Sequence, residues 1–136
     1  MTIAACHQLI EERFNTIWGV TTPIAWENVE YTPVSGQQFV TFRILNTYSD
    51  FASLGVHPLT RTLGMVEINI YTPVDQGTRP NTTLVDTALS VYKNALGQAW
   101  QSGGLRFKVG ELTSSNKDDQ WFRQIVLVGF TYDEIF

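Results

Sequence analysis

Groups for covalent, metal and phosphate chemistry are scarce in this chain: its 136 residues hold one cysteine, two histidines and nine lysines and arginines. The lone Cys6 excludes an internal disulfide. The opening stretch "MTIAACHQLIEERF" has neither the basic start nor the long apolar run of a secretory leader, so a reducing, cytosolic place of synthesis is expected. Long apolar runs are missing as well. The longest, "IVLVGF" at 125–130, falls well short of the roughly 18 residues that cross a bilayer, so a soluble chain without a membrane partner is expected. Thirteen Asp and Glu outnumber the basic residues, and the net charge of -4 argues against the basic stripe with which nucleic-acid binders grip phosphates. No glycine-rich phosphate loop precedes a helix, because "SGG" at 102–104 follows one.

What the sequence has in quantity is apolar and aromatic surface. It is 43% hydrophobic against 16% charged, with four Trp, five Tyr and eight Phe. That is too apolar for a disordered chain, and it suits a single domain over residues 1–136 that hides roughly two-thirds of its unfolded surface. No internal repeat marks a second unit.

The first segment sets Ile3, Cys6, Ile10, Phe14 and Ile17 at spacings of three and four, one face of a helix with Thr2 as its N-cap and Gly19 as its stop. Residues 20–38, punctuated by Pro23, Pro33 and Gly36, read as an extended loop pinned to the core by Trp26. "QFVTFRILNT" alternates, with Val40, Phe42 and Ile44 on one side. "RTLGMVEINIYTPVDQG", residues 61–77, answers it with Val66, Ile68 and Ile70, so the two strands pair as a hairpin. After Pro80 a second helix carries Leu84, Ala88, Tyr92 and Ala95, widened by Val85 and Leu96, with Thr83 and Asp86 as a loose capping box and Gly103 and Gly104 as its end. A strand "LRFKVGEL", a polar loop "TSSNKDDQ" and a final strand with Phe122, Val126, Val128, Phe130 and Tyr132 on one face complete the chain. The order predicts an α+β domain: a mainly antiparallel four-stranded sheet, two helices packed on one face, and a strand hairpin carrying a long loop.

Candidate chemistries each have a plainer explanation. His7 and Glu11 stand four apart on the first helix, a ligand spacing, but without a third ligand no metal site is expected. Cys6 lies on the apolar stripe, where a thiol is a small hydrophobe and not a nucleophile. His57 reads as a solvated loop histidine, and the adjacent Asp118 and Asp119 as a solvated turn, not an acid–base pair. The sequon "NTT" at 81–83 reads as a helix cap. The turn from Pro73 to Gly77 reads as scaffold that lifts the chain off the sheet and into the second helix. No enzyme activity, metal or cofactor is expected.

Three pieces together have a family look: "P-x-A-W-x-N-V" at Pro23 to Val29, "G-x-V-E-I-N-I-Y-x-P-x-x-x-G" at Gly64 to Gly77, and the closing aromatic strand "WFRQIVLVGFTYD". In these the chain resembles the tail terminator proteins of long-tailed, lambda-like bacteriophages. The resemblance implies a structural virion protein that forms a ring, hexameric in that family. The ring caps the tail tube, ends its polymerisation and presents the surface to which the head docks. It further implies as partners the chain itself, the tail tube protein and the head–tail connector, with DNA passing through the lumen without sequence-specific binding. The place would be the head-proximal end of the tail, and the host cytoplasm during assembly. A neck or head-completion ring protein and a small-ligand module are the alternatives.

Between the paired strands lies "YSDFASLGVHPLTR", 14 residues against the about two to five that close a hairpin. Tyr48, Phe51 and Leu54 give this loop apolar groups of the kind that anchor interfaces, and Asp50 and Arg61 are suited to its polar rim. These five residues are the expected oligomer or tail-tube interface, and the loop is expected to be mobile in the free subunit.

Overall fold

Thr2 starts the first helix, α1 (Ile3–Trp18), by accepting a hydrogen bond from the Ala5 N–H at 3.1 Å, and Gly19 ends it at a positive φ of 56°. The computed structural model describes residues 2–56, 58–118 and 120–135, so the expectations for His57 and Asp119 lie outside the described residues, as does the side chain of Asp118. The buried stripe of α1 is Cys6, Ile10, Phe14 and Trp18. Ile3 and Ile17, expected on that stripe, are exposed; at the C-terminal end Trp18 takes the core place instead of Ile17, its indole stacking on Phe14 and donating from Nε1 to Thr22 Oγ1 at 3.0 Å.

The extended segment that follows contains a short strand, β1 (Ile24–Trp26), parallel to β2 (Phe39–Phe51) in the register Ile24↔Val40 to Trp26↔Phe42. Trp26 does pin the segment, its ring 5.3 Å from that of Phe42 and 6.1 Å from that of Phe14. β2 pairs antiparallel with β3 (Leu59–Pro73) as expected. β3 in turn runs antiparallel to β7 (Trp121–Ile135) from Leu59↔Ile135 to Pro73↔Trp121. The expected strand at 105–112 divides into β5 (Leu105–Phe107) and the start of β6 (Glu111–Asp118), which lie end to end along the free edge of β7. The expected polar loop at 113–120 is therefore mostly strand, because backbone pairing with β7 outweighs the low strand preference of Ser, Asn and Asp. A two-residue strand, β4 (Gln101–Ser102), closes on β5 through the turn at Gly103 and Gly104.

Among the described residues the sheet is thus seven-stranded and mixed, in the order β1-β2-β3-β7-β5-β4 with β6 also on β7, larger than the mainly antiparallel four-stranded sheet expected. The α+β class stands. Two short strands and a polar one carried too little periodicity to be recognised.

The second helix, α2 (Arg79–Val91), is shorter than expected. It stops at Tyr92 and not at Gly103, because Tyr92 swings inward, stacks on Phe107 at 4.2 Å and donates its hydroxyl to the Ile10 carbonyl at 2.9 Å. Ala95 and Leu96, expected on the stripe, stand exposed in the loop beyond. The freed carbonyls of that helix end are taken by Arg13, which donates to Val91 O at 2.9 Å and Lys93 O at 2.7 Å with its guanidinium over Trp100. The expected capping box is absent: Thr78 is the N-cap without a side-chain bond, and the Thr83 hydroxyl bonds back to the Arg79 carbonyl.

Both helices pack on one face of the sheet. Their stripes meet Val40, Phe42 and Ile44 of β2, Val66, Ile68 and Ile70 of β3, and Val126, Val128 and Phe130 of β7 in one core. The opposite face carries half-buried Leu45, Met65 and Leu127, and an ion pair of 3.1 Å between Arg43 and Glu67.

Candidate functional site

The long hairpin is built further out than its sequence indicates. β2 continues to Phe51 and β3 begins at Leu59, so the connection between the strands is much shorter than expected. A bulge between Asn46 and Tyr48 inserts one residue into β2. Beyond it Tyr48 pairs with Leu63 and Asp50 with Arg61, which turns both side chains to the face away from the helices. Phe51, opposite Thr60, takes the other face and lines a groove of about 480 Å³ with Ser49, Pro58 and Thr60.

Neither apolar group folds back onto its own sheet: Phe51 is 64% exposed, Leu54 96%, and Val56 beside them 90%. Tyr48, 57% exposed, is held by its own strand, donating its hydroxyl to Asp50 Oδ2 at 2.7 Å. The second Asp50 oxygen accepts the Phe51 N–H at 2.7 Å, and these bonds, the tyrosine's first, hold the carboxyl below its ordinary range. The same bond raises the Tyr48 phenol.

Arg61 stands opposite Asp50 in the register, but its guanidinium is engaged on the next strand. Its Nε and Nη2 grip Asp133 of β7 at 2.8 and 3.2 Å, and Arg106 of β5 adds a third contact at 3.2 Å. The hydrogen bonds from Arg61 draw the Asp133 carboxyl below its ordinary range. This cluster ties β3, β5 and β7 together at the base of the hairpin. Of the five expected interface residues, Tyr48, Asp50, Phe51 and Leu54 share the projecting arm, and Arg61 braces it.

Other candidates are structural. Cys6 is buried and its thiol is pushed up to about 11, mainly by burial. Among the described residues no three His, Cys, Asp or Glu come together as a metal centre, and no helix is long and apolar enough to cross a membrane. The turn after β3 does deliver the chain to α2, with Asp75 and Gly77 at positive φ of 66° and 72°.

Asn81 of the sequon is fully buried. Its Nδ2 reaches Ile70 O, Thr72 Oγ1 and Phe122 O at 2.9, 3.2 and 3.0 Å, so it fastens α2 to two strands and does not cap the helix. Only tertiary contacts reveal that role. A buried asparagine and an exposed one look alike in sequence.

Residues 5–128, from the first turn of α1 to the middle of β7, match the family model described as phage tail terminator protein. The chain belongs to the phage tail terminator family. A solved protein structure 17% identical to it superposes with a TM-score of 0.64 over 93% of this chain and 94% of that one, which establishes a shared fold. No curated protein matches the sequence. Tail terminator proteins are structural components of phage tails and not enzymes. Membership therefore places this chain in the virion, in contact with other tail proteins.

Proposed function

We propose that this tail terminator family member assembles into a ring, hexameric as in the phages it resembles, that caps the finished tail tube at its head-proximal end, halts polymerisation and presents the docking surface for the head. The observation that carries this reading is the hairpin arm, where Tyr48, Phe51, Leu54 and Val56 stand exposed beyond the helix layer. A lone subunit gains nothing from holding four large apolar groups in water, whereas buried aromatic anchors dominate protein interfaces. The net charge of -4 suits a ring through which DNA slides, since strong phosphate contacts would slow passage. The arm orders against a neighbouring subunit or the tube end.

The test replaces Tyr48 and Phe51 with Ser and incubates the protein with purified tail tubes and, separately, with head connectors. The fold should survive, because neither side chain belongs to the core, while capping of tubes fails. Normal capping by the double variant removes the arm from the interface, and unfolding assigns it to the core. Binding of the wild-type protein to connectors and not to tubes would place it in the neck. Particle images of the wild-type protein on tube ends show the ring and its copy number directly.

A further inference from the structure

β2 is paired on both sides for only part of its length. β1 covers it from Val40 to Phe42, and among the described residues no strand lies on that side from there to Phe51, while β3 follows the other side. Two backbone bonds fix which groups face the open side: the Val40 N–H bonds to Pro23 O, toward β1, and the Ala52 N–H bonds to Leu59 O, toward β3. Alternation from Val40 turns Ile44 outward, and alternation back from Ala52 turns Ser49 and Phe51 outward. The two counts differ by one residue, which the bulge between Asn46 and Tyr48 supplies. At the far end Asp50 Oδ1 takes the Phe51 N–H, so the edge is closed there by a side chain and at the near end by β1. Between them Ile44 and Ser49 face outward with no strand beside them.

An open edge of this kind is a template for another strand. This one matches itself. Laid antiparallel on its copy about a two-fold axis between residues 46 and 47, it sets Ile44 of one chain against Ser49 of the other, twice, so that outward groups meet outward groups. Without the bulge one member of that pair would face β3. On the face away from the helices the same register sets Arg43 against Asp50 and Leu45 against Tyr48, again twice. Arg43, Asp50 and Tyr48 are exposed and Leu45 is half-buried, so all four can be reached. Facing opposite charges and facing apolar groups are the pairs that stabilise an antiparallel ladder. The outer edge of β6 is polar but for Leu112 and offers no such row.

We infer that the free subunit dimerises two-fold by joining its β2 edge to that of a second copy, residues 43–50 antiparallel to residues 43–50, in one continuous sheet. A two-fold contact is complete at two copies, so this is a form of the free subunit and not a link in the ring. It covers Tyr48 and has to open before the arm meets a tube.

The test compares sedimentation of wild type, Arg43→Glu, Asp50→Arg and the double variant over a wide concentration range without tubes. Wild type should pass from monomer to dimer. Each single reversal sets like charge against like twice, and the dissociation constant should rise roughly tenfold. An equimolar mixture of the two restores attraction at both contacts, as does the double variant, in which the charges are exchanged; both should dimerise like wild type. Register is read with Leu45→Cys and Tyr48→Cys. Facing residues in a pair of this kind come within disulfide reach, so the mixture should cross-link under mild oxidation and neither variant alone should, Cys6 being buried. A wild-type chain monomeric at every concentration, a dimer indifferent to the reversals, a mixture without rescue, or cross-linking within one variant as readily as in the mixture would each overturn the inference. None of these results bears on the ring, which images of tube ends decide.

Discussion

The ring of Phe130 occupies the space that any side chain on Gly64 would need. The two residues face each other across β3 and β7, and a methyl group on Gly64 would come within 2.5 Å of Phe130 Cζ and 2.6 Å of the Leu45 carbonyl oxygen. This gives a physical reason for the glycine that opens "GMVEINIY". Gly64→Ala should cost about 3 kcal/mol in a urea unfolding titration, the upper part of the usual overpacking range. Adding Phe130→Leu should recover only part of the loss, since the Leu45 carbonyl is backbone and cannot move aside. Full recovery would show that the aromatic ring alone imposes the glycine.

Asn81 offers a second measurable tie. Its amide spans α2, β3 and β7, and its removal takes a donor from two carbonyls, that of Ile70 buried and that of Phe122 part-buried, and from the buried Thr72 hydroxyl. Asn81→Ala should lower unfolding free energy by about 2 kcal/mol, the desolvation cost of groups left unpaired. Asn81→Asp should be worse than Ala, because a carboxylate would face three acceptors. Equal losses in the two variants would mean that the amide donates nothing that matters.

The Asp133 cluster makes a prediction in pH. Its carboxyl is held below the ordinary carboxylate range by Arg61 and, more weakly, Arg106. A lowered folded pKa stabilises the fold fully above the unfolded value, near about 4, and that contribution disappears as the pH falls through the folded value. Melting curves of wild type and Asp133→Asn should therefore differ most at neutral pH and converge below about pH 4. A gap independent of pH would place the effect in packing and not in charge.

Among the described residues no third donor of the kind a stable site requires joins His7 and Glu11, a ligand-spaced pair on α1. Treatment with a strong chelator should leave the melting temperature unchanged. A drop of several degrees would reveal a bound metal.

Local rules made much of this chain legible. α1 could be placed within a residue at each end because Thr2 and Gly19 act on their immediate neighbours. The pairing of β2 with β3, the buried face of β7 and the α+β class followed from alternation of apolar residues, and the family was visible in Pro23–Val29 and Gly64–Gly77. What only the tertiary structure decided is set by partners distant in sequence. β6 is a strand because β7 lies beside it, although its own residues are polar. α2 stops at Tyr92 because that ring is drawn onto Phe107, 15 positions away, while the loop residues beyond it would have continued the helical stripe. Asn81 faces the core because three acceptors converge there. The hairpin arm keeps Phe51 and Leu54 in solvent because the helices that bury the rest of the sheet end short of it. Periodicity reports which face of an element is apolar; which other element covers that face, or leaves it bare, depends on the sum of contacts over the whole fold.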